Sequence, residues 1–202
     1  MARLAYSKAS LSNISAKLKR FKQVLPSLDL KRQQLAAERK KAQLRFAQTE
    51  LEIQQCYQNT AKMLPMLADK SINVQNLVKL TQVEMGEENV VGVHLPVLNK
   101  LSIEVSSYSL FTEPHWVDQL VVQLKTMLQL KIQRQVEQQR VETLSEALKK
   151  VTQRVNLFDK VLIPQAQQDI RKIRIYLSDL DRAGVVRAKS TKQKRLRLKE
   201  VS

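Results

Sequence analysis

The side chains best suited to chemistry in this sequence are two histidines, His94 and His115, one cysteine, Cys56, and a run of cations near the C-terminal end. The histidines lie 21 residues apart, so no spacing brings two imidazoles onto one helical face as metal ligands. His94 sits in an alternating segment, where it reads as a surface or packed side chain. Cys56 falls on a heptad position with no base or cationic cradle beside it, so it reads as a small core hydrophobe and not a nucleophile. A single cysteine excludes an internal disulfide and a cysteine metal cluster, and fits a reducing compartment. Neither glycine-rich phosphate loop is present, and no carboxylate pair sits in a cleft-like context. The expectation is a non-catalytic chain with no cofactor and no metal.

The cations are the strongest local signal. Arg187, Lys189, Lys192, Lys194, Arg195, Arg197 and Lys199 place seven positive charges within thirteen residues. Clustered Lys and Arg can neutralise phosphates, but the tail carries no aromatic residue for base stacking. A solvated helix end is the plainer reading. Leu196, Leu198 and Val201 leave room for contact with protein.

These residues belong to a chain of 202 with a net charge of +16. The charge is segmental: residues 1–70 carry +9, residues 71–116 carry −3 and residues 117–202 carry +10. Only three glycines and 4% aromatic residues exclude an all-β sandwich and a glycine-rich nucleotide fold. The apolar runs are too short for a membrane span and the N-terminal residues lack a signal-peptide core, so the expected location is cytoplasmic.

The elements that carry these side chains show in the hydrophobic period. One seven-residue series runs Leu4, Leu11, Leu18, Leu25, Arg32, Arg39, Phe46, Ile53, Thr60, Leu67; its companion includes Ile14, Phe21, Leu28, Leu35, Ala42, Thr49 and Cys56. Two registers in phase predict a coiled-coil helix, about 85 Å long between Leu11 and Leu67. A second helix is expected to start after Pro114, with Leu120, Met127, Arg134, Val141, Leu148, Val155 and Leu162 in one series and Leu130, Glu137, Leu144, Val151 and Phe158 in the other. Beyond Pro164 the stripe resumes one residue out of phase at Ala166, Ile170, Ile173, Leu177 and Leu180, so a bend is expected near Ile163. Gly184 is expected to weaken or end the helix. The mid-stripe polar residues Arg32, Arg39, Arg134 and Glu137 set register, mark a partner's face, or are solvated defects in the seam.

The centre changes period. Val78, Leu80 and Val83 precede Gly86-Glu87-Glu88-Asn89, and a β-branched run from Val90 to Leu98 follows, which predicts a hairpin turning at residues 86–89. Leu101 to Val105 alternates as a third short strand, and Pro96 demands an edge position. The fold class is therefore mainly α: a long antiparallel two-helix coiled coil with a short central β-hairpin insert. Its parts are a first long helix over 1–70, the insert over 71–116, a second long helix over 117–186 and a basic tail over 187–202.

The run Asn89-Val90-Val91-Gly92-Val93-His94-Leu95-Pro96 resembles an Asn-x-x-Gly-Val-x-x-Pro stretch of the D subunits of the V-type and archaeal-type rotary ATPases. Arg154-Val155-Asn156-Leu157-Phe158-Asp159-Lys160-Val161-Leu162-Ile163-Pro164 is similar to that family's Arg-Val-Asn signature ending in Ile-Pro. Ser7-Lys8 and Lys31-Arg32, with Leu28 and Leu35, are similar to its basic first-helix motif. The likeness covers nearly the whole chain in the same order. The chain departs from the pattern at Val24, Pro26 and Gln33, and Pro26 predicts a kink or reset of the first helix near Leu25.

The resemblance implies a rotor shaft that carries torque between a catalytic ring and a membrane sector. It implies three sets of partners: catalytic and non-catalytic nucleotide-binding subunits around the termini, the small stalk F subunit near the central segment, and a funnel-shaped subunit on the membrane rotor ring. It implies a location peripheral to the membrane, without insertion. The interface residues expected on this basis are Lys31 and Arg32 in the first helix, Gly92, Val93 and Pro96 in the insert, Arg154, Asn156 and Pro164 in the signature, and Arg187 and Lys189 in the tail. The competing readings are a basic RNA-binding helical arm, whose affinity would fall steeply with salt, and a chaperone-like coil that oligomerises through its hairpin.

Overall fold

The computed structural model describes residues 5–67, 77–106 and 116–200. The elements in order are α1 (Lys8–Leu67), β1 (Val78–Val90), β2 (Val93–Val105), α2 (Trp116–Leu157), a π-helical turn (Phe158–Leu162) and α3 (Ile163–Glu200). The architecture is mainly α with a two-stranded antiparallel hairpin between the long helices, as the sequence predicts. The chain divides into two compact units, Met1–Leu30 with Val151–Ser202, and Lys31–Lys150.

In the first unit the start of α1 runs antiparallel to α3. The Tyr6 and Tyr176 rings lie 5.0 Å apart between centroids, and Phe21 meets Phe158 edge-on at 5.4 Å. Val151, Val155, Ala166, Ile170 and Ile173 are buried, and Ile173 is fully so. The bond from Ile163 N–H to the Phe158 carbonyl spans five residues and defines the π turn. That turn absorbs one extra residue, which is why the stripe resumes one position late. It contains Lys160, whose carbonyl Pro164 would otherwise press upon and leave without a donor. The irregularity expected near Ile163 is thus a widened turn.

In the second unit α1 and α2 again run antiparallel, with Thr49 against Glu137 and Cys56 against Gln123. The hairpin base is closed by a 3.0 Å bond from Ser106 N–H to the Leu77 carbonyl. It packs there through Leu77, Val117, Leu120 and Val121, with Val78, Val105, Trp116 and Leu124 around them. Burying a Val or Leu side chain stabilises by about 1.5–3 kcal/mol. This cluster therefore anchors a hairpin that would be marginal alone.

Several local expectations are corrected. The hairpin turns at Val91 and Gly92, not at residues 86–89, and both turn residues have positive φ, 54° and 75°. Gly86 lies inside β1, where the Asn99 side chain fills the space of a Cβ: one there would sit 2.6 Å from Asn99 Nδ2. Leu101 to Val105 is no third strand but the end of β2, since register shifts absorb the break in alternation. α1 continues unbroken through Pro26, with Ser27 Oγ donating to the Val24 carbonyl at 2.8 Å. α3 continues through Gly184 to Glu200. The expected helix start at Pro114 lies outside the described residues, and Trp116 is the first helical residue described.

Candidate partner interface

The central residues come together at the hairpin tip. A two-residue turn makes Val90 and Val93 a hydrogen-bonded pair, so Glu88–Leu95 and Gly86–Val97 also bond inward. The alternate residues Met85, Glu87 and Asn89 on β1, and His94 and Pro96 on β2, then direct their backbone groups outward. The N–H that Pro96 lacks is therefore one that β1 does not need. Its outward carbonyl accepts a 3.1 Å bond from Arg140 Nη1, and Arg140 Nη2 donates to Glu88 Oε2 at 2.9 Å. One guanidinium on α2 thus holds both strands, in the two-pronged geometry that suits arginine.

At the tip itself, Asn89 Oδ1 accepts the Gly92 N–H at 2.9 Å. A Cβ on Gly92 would lie 3.4 Å from Lys31 Nζ, so the first-helix lysine reaches the turn. Lys31 and Gly92 are hence neighbours at the turn, while Pro96 lies further along β2 against Arg140. Arg32 is half-buried beside Lys31 in α1. Val91 is β-branched and left-handed, a conformation such residues rarely adopt.

The seam beneath the hairpin contains buried polar atoms. Thr49 Oγ1 donates to Glu137 Oε2 at 2.8 Å, and Gln133 Nε2 donates to Glu137 Oε1 at 2.9 Å. Glu137 is 9% exposed and Thr49 2%, so this is an internal clasp and not a solvated defect. Arg134 lies nearer the surface, paired with Glu50 at 3.4 Å and over the Phe46 ring.

In the other unit, Val155 is buried at 6% exposure, while Arg154 and Asn156 on either side are exposed. Pro164 is half-buried just past the π turn. Arg187 bonds back to the Ala183 carbonyl of its own helix. Every described side chain over residues 185–196 of α3 is exposed, Lys189 among them. Sequence reasoning misses Arg140, Glu88 and Thr49 as partners. Arg140 and Glu88 are 52 residues apart, with no local pattern to join them. The heptad position shared by Thr49 and Glu137 is the available signal.

Among the described residues no cluster of His, Cys, Asp and Glu could hold a metal ion. No described helix is long and apolar enough to cross a membrane. The arrangement leaves exposed a hairpin tip, a signature face and a cationic helix end.

The family model for the ATP synthase D subunit matches residues 10–193. The chain is 32% identical over 192 residues to the V-type ATP synthase D subunit of Borreliella burgdorferi, covering 95% of each protein. It is 34% identical over 195 residues to the protein of that name from Chlamydia abortus, covering 92% of this chain and 90% of the relative. It is 37% identical over 139 residues to the Chlamydia felis protein, covering 69% and 65%.

Proposed function

The chain belongs to the D-subunit family of ATP synthases, and from that premise we propose that it is the central rotor shaft of a V/A-type ATPase. It transmits torque between ATP hydrolysis or synthesis in a catalytic ring and ion translocation in the membrane sector. It has no catalytic role of its own and is peripheral to the membrane on the cytoplasmic side. Its partners are the catalytic and non-catalytic nucleotide-binding subunits, the small stalk F subunit and the funnel-shaped subunit on the rotor ring. The exposed Arg154 and Asn156, the cationic residues from Arg187 and Lys189 onward, and the hairpin around Gly92, Val93 and Pro96 are the contact surfaces.

The observation that carries this reading is the D-subunit family match over residues 10–193. The buried Thr49–Glu137 bond between the antiparallel helices, with Gln133 of the same helix as Glu137 on the other carboxylate oxygen, suits a shaft. A shaft under torque must resist sliding of one helix along the other. Apolar contact alone is non-directional, whereas a buried hydrogen-bonded carboxylate penalises any slip that unpairs it. The test is co-purification of the tagged chain from its host with mass identification of what comes with it. The nucleotide-binding subunits are expected, and their absence overturns the reading. Truncation after Val186 is expected to leave the helices folded while reducing ATPase activity coupled to rotation in the reconstituted complex; unchanged coupling removes the tail from the interface.

A further inference from the structure

We propose that the outer edge of β1 over residues 85–89 is a docking strand, which receives an extended basic segment of a neighbouring protein of the complex as a third strand on the hairpin. This rests on the reading of the chain as part of the ATPase complex and specifies how one of its surfaces binds.

The backbone gives the first reason. The register is regular from Met85 to Val90, and the outward N–H and C=O groups of Met85, Glu87 and Asn89 recur every second residue. Such a row is complemented by another strand, the mode of β-augmentation. The opposite edge is taken: on β2, Pro96 has no N–H to offer and its carbonyl is bound by Arg140. The β1 edge is open, with Met85 47% exposed and the side chains of Glu87 and Glu88 75% and 55% exposed. Residues 82–90 contain neither proline nor lysine. The charges along this edge are glutamates, which oppose pairing with a like edge and admit a basic one. The register shift lies before Met85, outside the 85–89 row.

Charge selects the occupant. The strands hold two lysines and four glutamates in a chain whose net charge is +16, and Glu84 and Glu87 lie along this stretch. Glu87 is 3.6 Å from His94 Nδ1 and keeps a 75% exposed side chain, while Glu88 is already held by Arg140. A second copy pairing antiparallel by the same edge would set glutamates against glutamates, which disfavours it. A basic strand would meet them with opposite charge at cross-strand distance, and an apolar side chain on it would cover Met85.

The decisive experiment is residue-resolved amide hydrogen exchange on the unmodified chain, alone and in the assembled ATPase complex. Strand addition slows exchange at Met85, Glu87 and Asn89 by at least about tenfold, while Gly86, Glu88 and Val90 are protected in both states. Glu87→Pro removes one outward donor without touching the inward ladder and is expected to weaken docking at least about tenfold. Glu87→Gln keeps the donor and is expected to cost only a few-fold, with a weaker dependence on salt. Inward amides still protected in the proline variant establish that its hairpin is folded. A chain that joins the complex with those three amides exchanging as before overturns strand addition and leaves the shaft reading standing. A chain that joins no other component of the ATPase overturns both.

Discussion

In the unit of Met1–Leu30 with Val151–Ser202, every buried residue among those described is apolar, and aromatic rings join the antiparallel segments. In the unit of Lys31–Lys150 the same kind of seam admits Thr49 and Glu137, and a hairpin is fastened beside it by Arg140. Two helices alone need only complementary stripes. A hairpin clamped to α2 requires a fixed height along the helices, and directional bonds supply that where hydrophobic contact does not. The contrast also separates two responses to irregular sequence: a widened turn where one residue is in excess, and a polar clasp where position along the axis matters.

The largest effect should show the two seams to be alike. Ile173→Ala and Leu35→Ala each remove a fully buried side chain, and each should cost about 2–5 kcal/mol in chemical denaturation. A much smaller cost in one unit would mean that its packing is loose. Thr49→Val should then separate them. It leaves one Glu137 oxygen without its partner and should cost about 1–3 kcal/mol, and adding Glu137→Leu should recover much of the loss. No recovery would show the clasp to be stabilising in itself, not a device for position.

Next comes the signature stretch. Val155→Ala should cost about 1–3 kcal/mol, while Arg154→Ala should stay within about 0.5 kcal/mol and still impair assembly or coupling. If function tracks melting temperature across the pair, the stretch is core alone. Deleting Lys160 should turn the π turn into ordinary helix, keep the downstream stripe in its seam and change stability by no more than about 1 kcal/mol. Pro164→Ala should leave the π turn in place, because the extra residue remains; loss of the turn in that variant would return its cause to the proline. The smallest effect is local. Val91→Asn relieves a left-handed β-branched residue and should stabilise the hairpin by about 0.5–1 kcal/mol, read from exchange at Val90 and Val93.

Much of the fold is legible because its signals are periodic. The heptads through Leu18, Leu28 and Leu35, and the β-branched run after Asn89, mark helices and hairpin without help from tertiary context. The slip at Ala166 is visible as well, although its resolution as a π turn is not. Single residues mislead where their usual preference is overridden by their neighbours. Pro26 and Gly184 do not end their helices, and Gly86 makes room for Asn99 instead of forming the turn. The true turn is hidden because Val91 opposes its own preference. Among candidate interface residues, Lys31 and Gly92 prove to be neighbours. Arg140 is invisible in the sequence because its partners lie 44 and 52 residues away.

The small cluster at the hairpin base contains Trp116, the single tryptophan of the chain. Trp116 packs against the buried cluster of Leu77, which precedes β1, and Val117, Leu120 and Val121 at the start of α2. Fluorescence excited at the indole band therefore reports one event, wetting of that cluster as the hairpin base comes away, against a background of only four tyrosines. The chain carries its own optical gauge of hairpin attachment, one that can be followed in the isolated chain without adding a label.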